Sequence, residues 1–327
     1  MKRSQQILLG VLALQIILSA VVFWPRETAS ASGEPVFPEL TVDDIVSVTI
    51  EDNLGGRIVL SKAGDAWVLP EADDFPTQAD RVTPALEKLA GLTAGSVVAR
   101  TEASHVQLEV ANGKFQRRID IETTDGKTQT LYLGSAPRYT ATHFRLAGQA
   151  ETYLTSDLSV WDVGVAISGW ADTSYVAIDQ EAVTGVTLMN ANGTFMFAKD
   201  GDTWALADLQ EDETADTAQA GSIVRTATTM ALKEPLGRSA SPAYGLDDPG
   251  AVIDVSTADG QTHTLTIGAT PRESGDYVVK SSDSEFYVLV ASYTVTGLLE
   301  KTRDDFLTIP PTPVAEGPEV PTPTPAP

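Results

Sequence analysis

Arg118-Ile119-Asp120-Ile121-Glu122-Thr123-Thr124-Asp125-Gly126 returns later in the chain as Val252-Ile253-Asp254-Val255-Ser256-Thr257-Ala258-Asp259-Gly260. Each stretch alternates apolar and polar residues and runs into Asp-Gly. That is the pattern of a half-buried strand entering a hairpin. The match continues in register. Thr130-Leu131-Tyr132-Leu133-Gly134 aligns with Thr264-Leu265-Thr266-Ile267-Gly268, and Tyr153-Leu154 with Tyr287-Val288. Upstream, Asp65-Ala66-Trp67-Val68-Leu69 parallels Asp202-Thr203-Trp204-Ala205-Leu206 after an offset change. A period of about 135 residues is too long for a solenoid and fits a duplicated small domain.

Each copy has the same plan. It opens with alternating strands, Val46–Ile50, Arg57–Leu60 and Ala66–Leu69 in the first, joined by Asn53-Leu54-Gly55-Gly56 and Ala63-Gly64-Asp65 turns. One helix follows. Thr77-Gln78-Ala79-Asp80 resembles a capping box, and Val82, Leu86, Leu89 and Leu92 then recur at helical spacing. In the second copy the helix is expected from Thr217 to Leu232, with Ile223, Val224, Ala227 and Met230 inward. A four-strand meander completes each copy, and a second short helix is expected over Ser156–Val163. The fold class is therefore α+β, with two modules of mostly antiparallel sheet and one main packed helix each.

Around the repeat, residues 1–25 read as a transmembrane signal-anchor. Lys2 and Arg3 precede an apolar run from Ile7 to Trp24, which as a helix spans roughly 27 Å, enough for a hydrocarbon core. The positive-inside rule leaves the N-terminus cytoplasmic and the rest outside, a single-pass cell-membrane protein with an extracytoplasmic body. The competing reading is a signal peptide cleaved at Ala29-Ser30-Ala31. Residues 26–40 are a linker, 41–172 and 173–309 the two modules, and 310–327 a Pro/Thr-rich tail expected to be disordered.

Lys and Arg total 22 and Asp and Glu 45, a formal net charge of −23. Such a surface repels phosphate backbones, so no nucleic-acid partner is expected. The chain has no cysteine, which removes disulfides, thiolate catalysis and a lipoprotein anchor. No Gly-rich phosphate loop is present.

In order along the chain, the N-terminal anchor, the Val46–Ile50 strand after Asp43-Asp44-Ile45, the Trp-containing hairpin leading to Pro70, and the Gln78-Ala79-Asp80-Arg81-Val82 helix start form one set. Tyr244-Gly245-Leu246-Asp247-Asp248-Pro249, the Asp259-Gly260 hairpin and the Ile267-Gly268 strand end complete it. In these features the chain resembles the DUF4340 family. The Tyr-Gly-Leu-x-x-Pro segment is the most specific, and the first copy departs from it with His105-Val106-Gln107-Leu108. The resemblance implies an extracytoplasmic auxiliary of ABC-type transport systems, some associated with gliding motility, with no catalytic residues to carry over.

Candidate chemistry is sparse. His105, His143 and His263 lie far apart and lack the helical spacing of a zinc site, so structural roles are expected; His263 should face the sheet interior near an edge. A Ser–His–Asp triad is defined by geometry and stays open, but no Gly-x-Ser-x-Gly elbow occurs. Glu211-Asp212-Glu213 with Asp216, and Glu71, Asp73 and Asp74 in the first copy, lack the spacing of a calcium loop and precede a helix whose dipole favours acids. No cofactor, metal ligand or catalytic residue is assigned.

The candidate structural or interaction positions are Trp67 and Trp204, expected to anchor the helix, with an exposed binding platform as the alternative; Trp161 and Trp170, expected between the copies; and Tyr244, Gly245, Leu246 and Pro249, a turn with a small apolar plug. The leading expectation is a non-catalytic accessory protein that docks on an ABC-type permease or envelope complex. The alternative is a module binding polysaccharide or peptide in the cleft between the copies.

Overall fold

A computed structural model describes residues 33–138, 141–269 and 271–308. The expected transmembrane helix and the Pro/Thr tail lie outside these residues. Among the described residues no helix is long and apolar enough to cross a membrane. The chain divides after Ala171 into two compact units, called here modules one and two.

In module one, strands β1 (Ile45–Asp52), β2 (Arg57–Ala63), β3 (Ala66–Leu69) and β4 (Phe75–Pro76) lead into helix α1 (Ala79–Ala90). Edge strand β5 (Val97–Ala99), the short helix α2 (Glu102–Gln107), and β6 (Arg117–Thr123), β7 (Thr128–Leu133), β8 (Thr142–Leu146) and β9 (Thr152–Thr155) follow. They form one nine-stranded antiparallel sheet in the order β4-β3-β2-β1-β6-β7-β8-β9-β5.

Module two contains β10 (Val183–Asn190), β11 (Gly193–Asp200), β12 (Thr203–Leu206), helix α3 (Thr217–Thr228), β13 (Glu234–Gly237), β14 (Pro249–Thr257), β15 (Thr262–Gly268), β16 (Tyr277–Ser281), β17 (Tyr287–Val290) and helix α4 (Ser292–Glu300). Its sheet order, β12-β11-β10-β14-β15-β16-β17-β13, repeats module one strand for strand, without the counterpart of β4.

The alternation that marks the repeat builds both cores. Ile119 pairs with Ile50 and Leu131, and Ile121 with Val48. Ile253 pairs with Leu188 and Leu265, and Val255 with Val186. All ten of these side chains are buried on one face. The opposite face carries polar pairs. Thr130 Oγ1 donates to Asp120 Oδ1 at 2.5 Å and Thr264 Oγ1 to Asp254 Oδ1 at 2.6 Å.

The helices cover the apolar faces. α1 buries Val82, Ala85, Leu86 and Leu89. α3 buries Ala220, Ile223, Val224 and Ala227 and packs on β12. α4 belongs to module two alone and buries Val295 and Leu298. Asn190, at the end of β10, donates its amide to the Leu298 and Lys301 carbonyls at 3.0 Å each, and Asn192 to Glu300 at 2.8 Å. These carbonyls end a helix and would otherwise lack partners.

Three local expectations are corrected. Thr77 does not cap α1: its hydroxyl donates to the Trp67 carbonyl at 2.8 Å, and Gln78 is the N-cap residue. α3 ends at Thr228, and Met230 is buried from a short strand, Thr229–Ala231, that pairs with Ser174–Ala177. Consecutive β-branched threonines favour that switch to extended backbone. Ser156–Val163 is a turn, not a helix. Asp162 accepts from the Ser159 backbone and hydroxyl at 2.8 and 2.7 Å, and Asp157 accepts from Thr93 Oγ1 at 2.6 Å. The Asp162 bond to neighbouring backbone competes with helix formation, and the Asp157 bond ties the segment to Thr93, distant in sequence.

Candidate functional site

Trp67 and Trp204 occupy matching places, each half-buried at the outer end of its module's apolar face. Trp67 faces Lys62 across β2–β3, and Trp204 faces Lys199, whose ammonium lies 5.6 Å from the ring centroid. They border the core and are neither deep anchors nor open platforms.

Trp161 and Trp170 both belong to module one, and they differ. Trp170 is 4% exposed and donates its indole N–H to the Gly164 carbonyl at 2.8 Å. Its own carbonyl accepts from the Gln78 N–H at 2.8 Å, which ties this segment to the start of α1. Trp161 is 84% exposed. It lies on a groove of about 220 Å³ along α1, beside Asp80, Arg81, Lys88 and Asp162. Lys88 Nζ stands 2.5 Å from Asp162 Oδ1. Burial raises the Asp162 carboxyl, but hydrogen bonds from Lys88 and Ser159 outweigh it and hold the group below its ordinary value.

The Tyr244 segment is a turn. Pro242–Tyr244 form one 3-10 turn, closed by Gly245 with φ of 68°. The Tyr244 ring lies 5.3 Å from the Tyr287 ring, Leu246 is half-buried, and Pro249 is the first residue of β14. A proline is tolerated at that position of a central strand. In module one Glu109 takes the left-handed conformation, with φ of 60°, at the end of α2. His105-Val106-Gln107-Leu108 is thus the counterpart of the turn.

A further pair of sites is duplicated. In module one the Val36 N–H donates to Leu92, and in module two the Ile178 N–H to Thr228, each at 2.8 Å. The Thr124 N–H donates to Asp44, and the Ala258 N–H to Ala182, again at 2.8 Å. Between each lead-in segment and its Asp-Gly hairpin lies an open groove, of about 330 Å³ in module one and about 580 Å³ in module two. The hairpins are built alike. Thr123 Oγ1 donates to Asp125 Oδ1 at 2.7 Å, and Thr257 Oγ1 to Asp259 Oδ1 at 2.6 Å. The same carboxylate oxygens accept from the Lys127 and Gln261 backbone at 3.3 and 3.2 Å.

The side chains then diverge. Lys127 Nζ lies 2.6 Å from Asp125 Oδ2, and this bond, with that of Thr123, holds the Asp125 carboxyl at about 2. Module two has Gln261 in its place. Gln129 is replaced by His263, whose Nδ1 lies 2.7 Å from Asp283 Oδ2 on the groove wall. In Asp259, too, the carboxyl is held low, first by the Thr257 hydroxyl and then by the Gln261 N–H. His263 thus faces a partner at the sheet margin. The hairpins read as turns from sequence, and the Lys127/Gln261 and Gln129/His263 differences within the repeat mark the groove.

The remaining candidates are built into local structure. His105 Nε2 lies 2.7 Å from the Ala150 carbonyl, and His143 Nδ1 lies 2.7 Å from the Ser135 carbonyl and 3.2 Å from its Oγ. The Ser135 hydroxyl donates to the Leu108 carbonyl. Glu213 accepts from Arg303 Nη2 at 2.6 Å, Asp216 caps α3 through the Ala218 and Gln219 N–H groups, and Glu71 pairs with Arg57. Among the described residues no group of three His, Asp or Glu side chains is placed to hold a metal ion.

Comparison with protein families finds a match to the domain of unknown function DUF4340 over residues 67–240, more than half of the chain. The chain belongs to this family. The matched stretch begins at Trp67 in β3 and ends before Pro242, so it crosses from module one into module two. The DUF4340 match covers α1, Trp161, Trp170 and α3; Tyr244–Pro249 and the His263 groove wall lie beyond it. No curated protein and no solved structure matches.

Proposed function

We propose that this DUF4340 protein is a membrane-anchored, extracytoplasmic accessory protein that works by docking and not by catalysis. Its partner is the permease of an ABC-type transport system or an envelope complex. The observation that supports this reading is Trp161, 84% exposed on a module whose neighbouring α1 is fixed by burial. A large rigid aromatic in water gains most by entering a partner's pocket, and tryptophan is enriched among residues that dominate protein interfaces. Arg81, Lys88 and Asp162 supply a polar rim. Anchoring through residues 1–25 would confine the modules near the membrane and raise their effective concentration for a membrane partner.

The test is crosslinking in native membranes with a tag on the C-terminus. The expected result is capture of a permease or its ATPase, dependent on residues 1–25 and at least about tenfold weaker in Trp161→Ala. Recovery of the protein alone, free in extracytoplasmic fluid without its first 31 residues, would overturn the reading.

A further inference from the structure

We infer that the groove of module two is a binding site for a primary ammonium group carried on an aliphatic stem, such as a lysine side chain. The duplication supplies the template. In module one Asp125 uses Oδ1 to hold its own hairpin and turns Oδ2 to the Lys127 ammonium, 2.6 Å away. In module two Asp259 uses Oδ1 identically, through Thr257 and Gln261. Gln261 brings no charge, and among the described residues no lysine or arginine lines the groove. The site keeps the acceptor and lacks the built-in cation.

The rest of the groove suits such a ligand. Asp179 and Asp283 add carboxylates, the latter with Oδ2 on His263, and Val176, Ile178 and Ala182 give an apolar wall. An ammonium on methylenes places its stem on the wall and its head at the acids. Lys280, the cation whose charge reaches Asp283, is committed to the Ser281 and Ser284 carbonyls. The volume, about 580 Å³, lies within the range of small-ligand sites. This inference concerns module two and goes beyond the docking role; either can fail without the other.

Calorimetric titration of the full chain with Nα-acetyl-lysinamide tests it, with Nα-acetyl-norleucinamide as the probe lacking only the charge. The lysine probe should bind saturably at one site, and the norleucine probe at least tenfold more weakly. Gln261→Lys copies module one's own arrangement, so the hairpin is already compatible with it, and it should abolish binding. Lys127→Gln should raise the stoichiometry from one to two. The inference is overturned by absence of saturable binding, by equal affinity for the two probes, by full binding in Gln261→Lys, or by unchanged stoichiometry in Lys127→Gln. Full binding in Gln261→Lys would show that only the diffuse field of a chain with net charge −23 attracts the probe, and unchanged stoichiometry in Lys127→Gln would show that the Lys127 ammonium is not what fills the module-one site, so that the template fails.

Discussion

The carbonyl oxygen of Tyr244 lies so close to Gly268 that a β-carbon on that glycine would stand 2.1 Å from it. Leu108 and Gly134 hold the same relation in module one, also at 2.1 Å. In both modules the turn before the central strand closes onto the end of its neighbour, and only a bare α-carbon admits the contact. Gly268→Ala should cost roughly 2–3 kcal/mol, because the obstacle is backbone and cannot rotate away. Gly221, in α3, has nothing within 4 Å of the added carbon. Gly221→Ala should stabilise by about 0.5–1 kcal/mol. Urea unfolding of the two variants checks the opposite signs; equal effects would refute the close-approach argument.

Trp170 and Trp161 should separate stability from association. Trp170→Ala empties a buried site and removes the indole bond to Gly164, a loss of about 3–5 kcal/mol. Trp161→Ala removes a side chain that is mostly in water, and should change stability by no more than about 0.5 kcal/mol. Thermal unfolding distinguishes them. A large loss in Trp161→Ala would mean that the indole serves its own module.

The Asp305 carboxyl is held at about 2, first by the Thr302 N–H, then by the Lys301 ammonium and the Thr302 hydroxyl. Its folded value lies below the unfolded one, near 4. The stabilisation is therefore complete above about pH 4 and lost as pH falls toward 2. That turn seats Phe306, fully buried against Phe195 and Phe197. Asp305→Asn should lower stability at pH 7 and flatten the decline between pH 4 and 2. Urea midpoints across that range are the measurement, and a profile parallel to the wild type would count against the assignment.

The central pairing was legible because Arg118–Thr123 and Val252–Thr257 carry a period of two over their whole length. Burial of one face leaves such strands one register. The α1 face was legible from Val82, Leu86 and Leu89. Boundaries were less so, because they turn on which partner a small polar side chain selects. Thr77 resembles a cap by spacing, yet the Trp67 carbonyl is within its reach. Ser156–Val163 was expected to be helical, yet Asp162 binds the nearby Ser159 backbone and Asp157 is held by Thr93, 64 residues away in sequence. Exposure was not legible at all: nothing local distinguishes Trp161 from Trp170. The groove of module two required comparing the copies, since Gln261 is unremarkable until set beside Lys127.

The amides of Asn190 and Asn192 reach carbonyls 108 or more residues further along the chain. A ribosome delivers the N-terminal part first, and contacts between distant residues form late. Module one has all its strands by Thr155, whereas the opening hairpin of module two must wait for Leu298–Lys301 to emerge. During synthesis there is thus an interval in which one half of the protein can be complete while the other is an open sheet with its last helix still to arrive. Chaperones and proteases that survey nascent chains would meet the two copies in different states, although their sheets share one strand order.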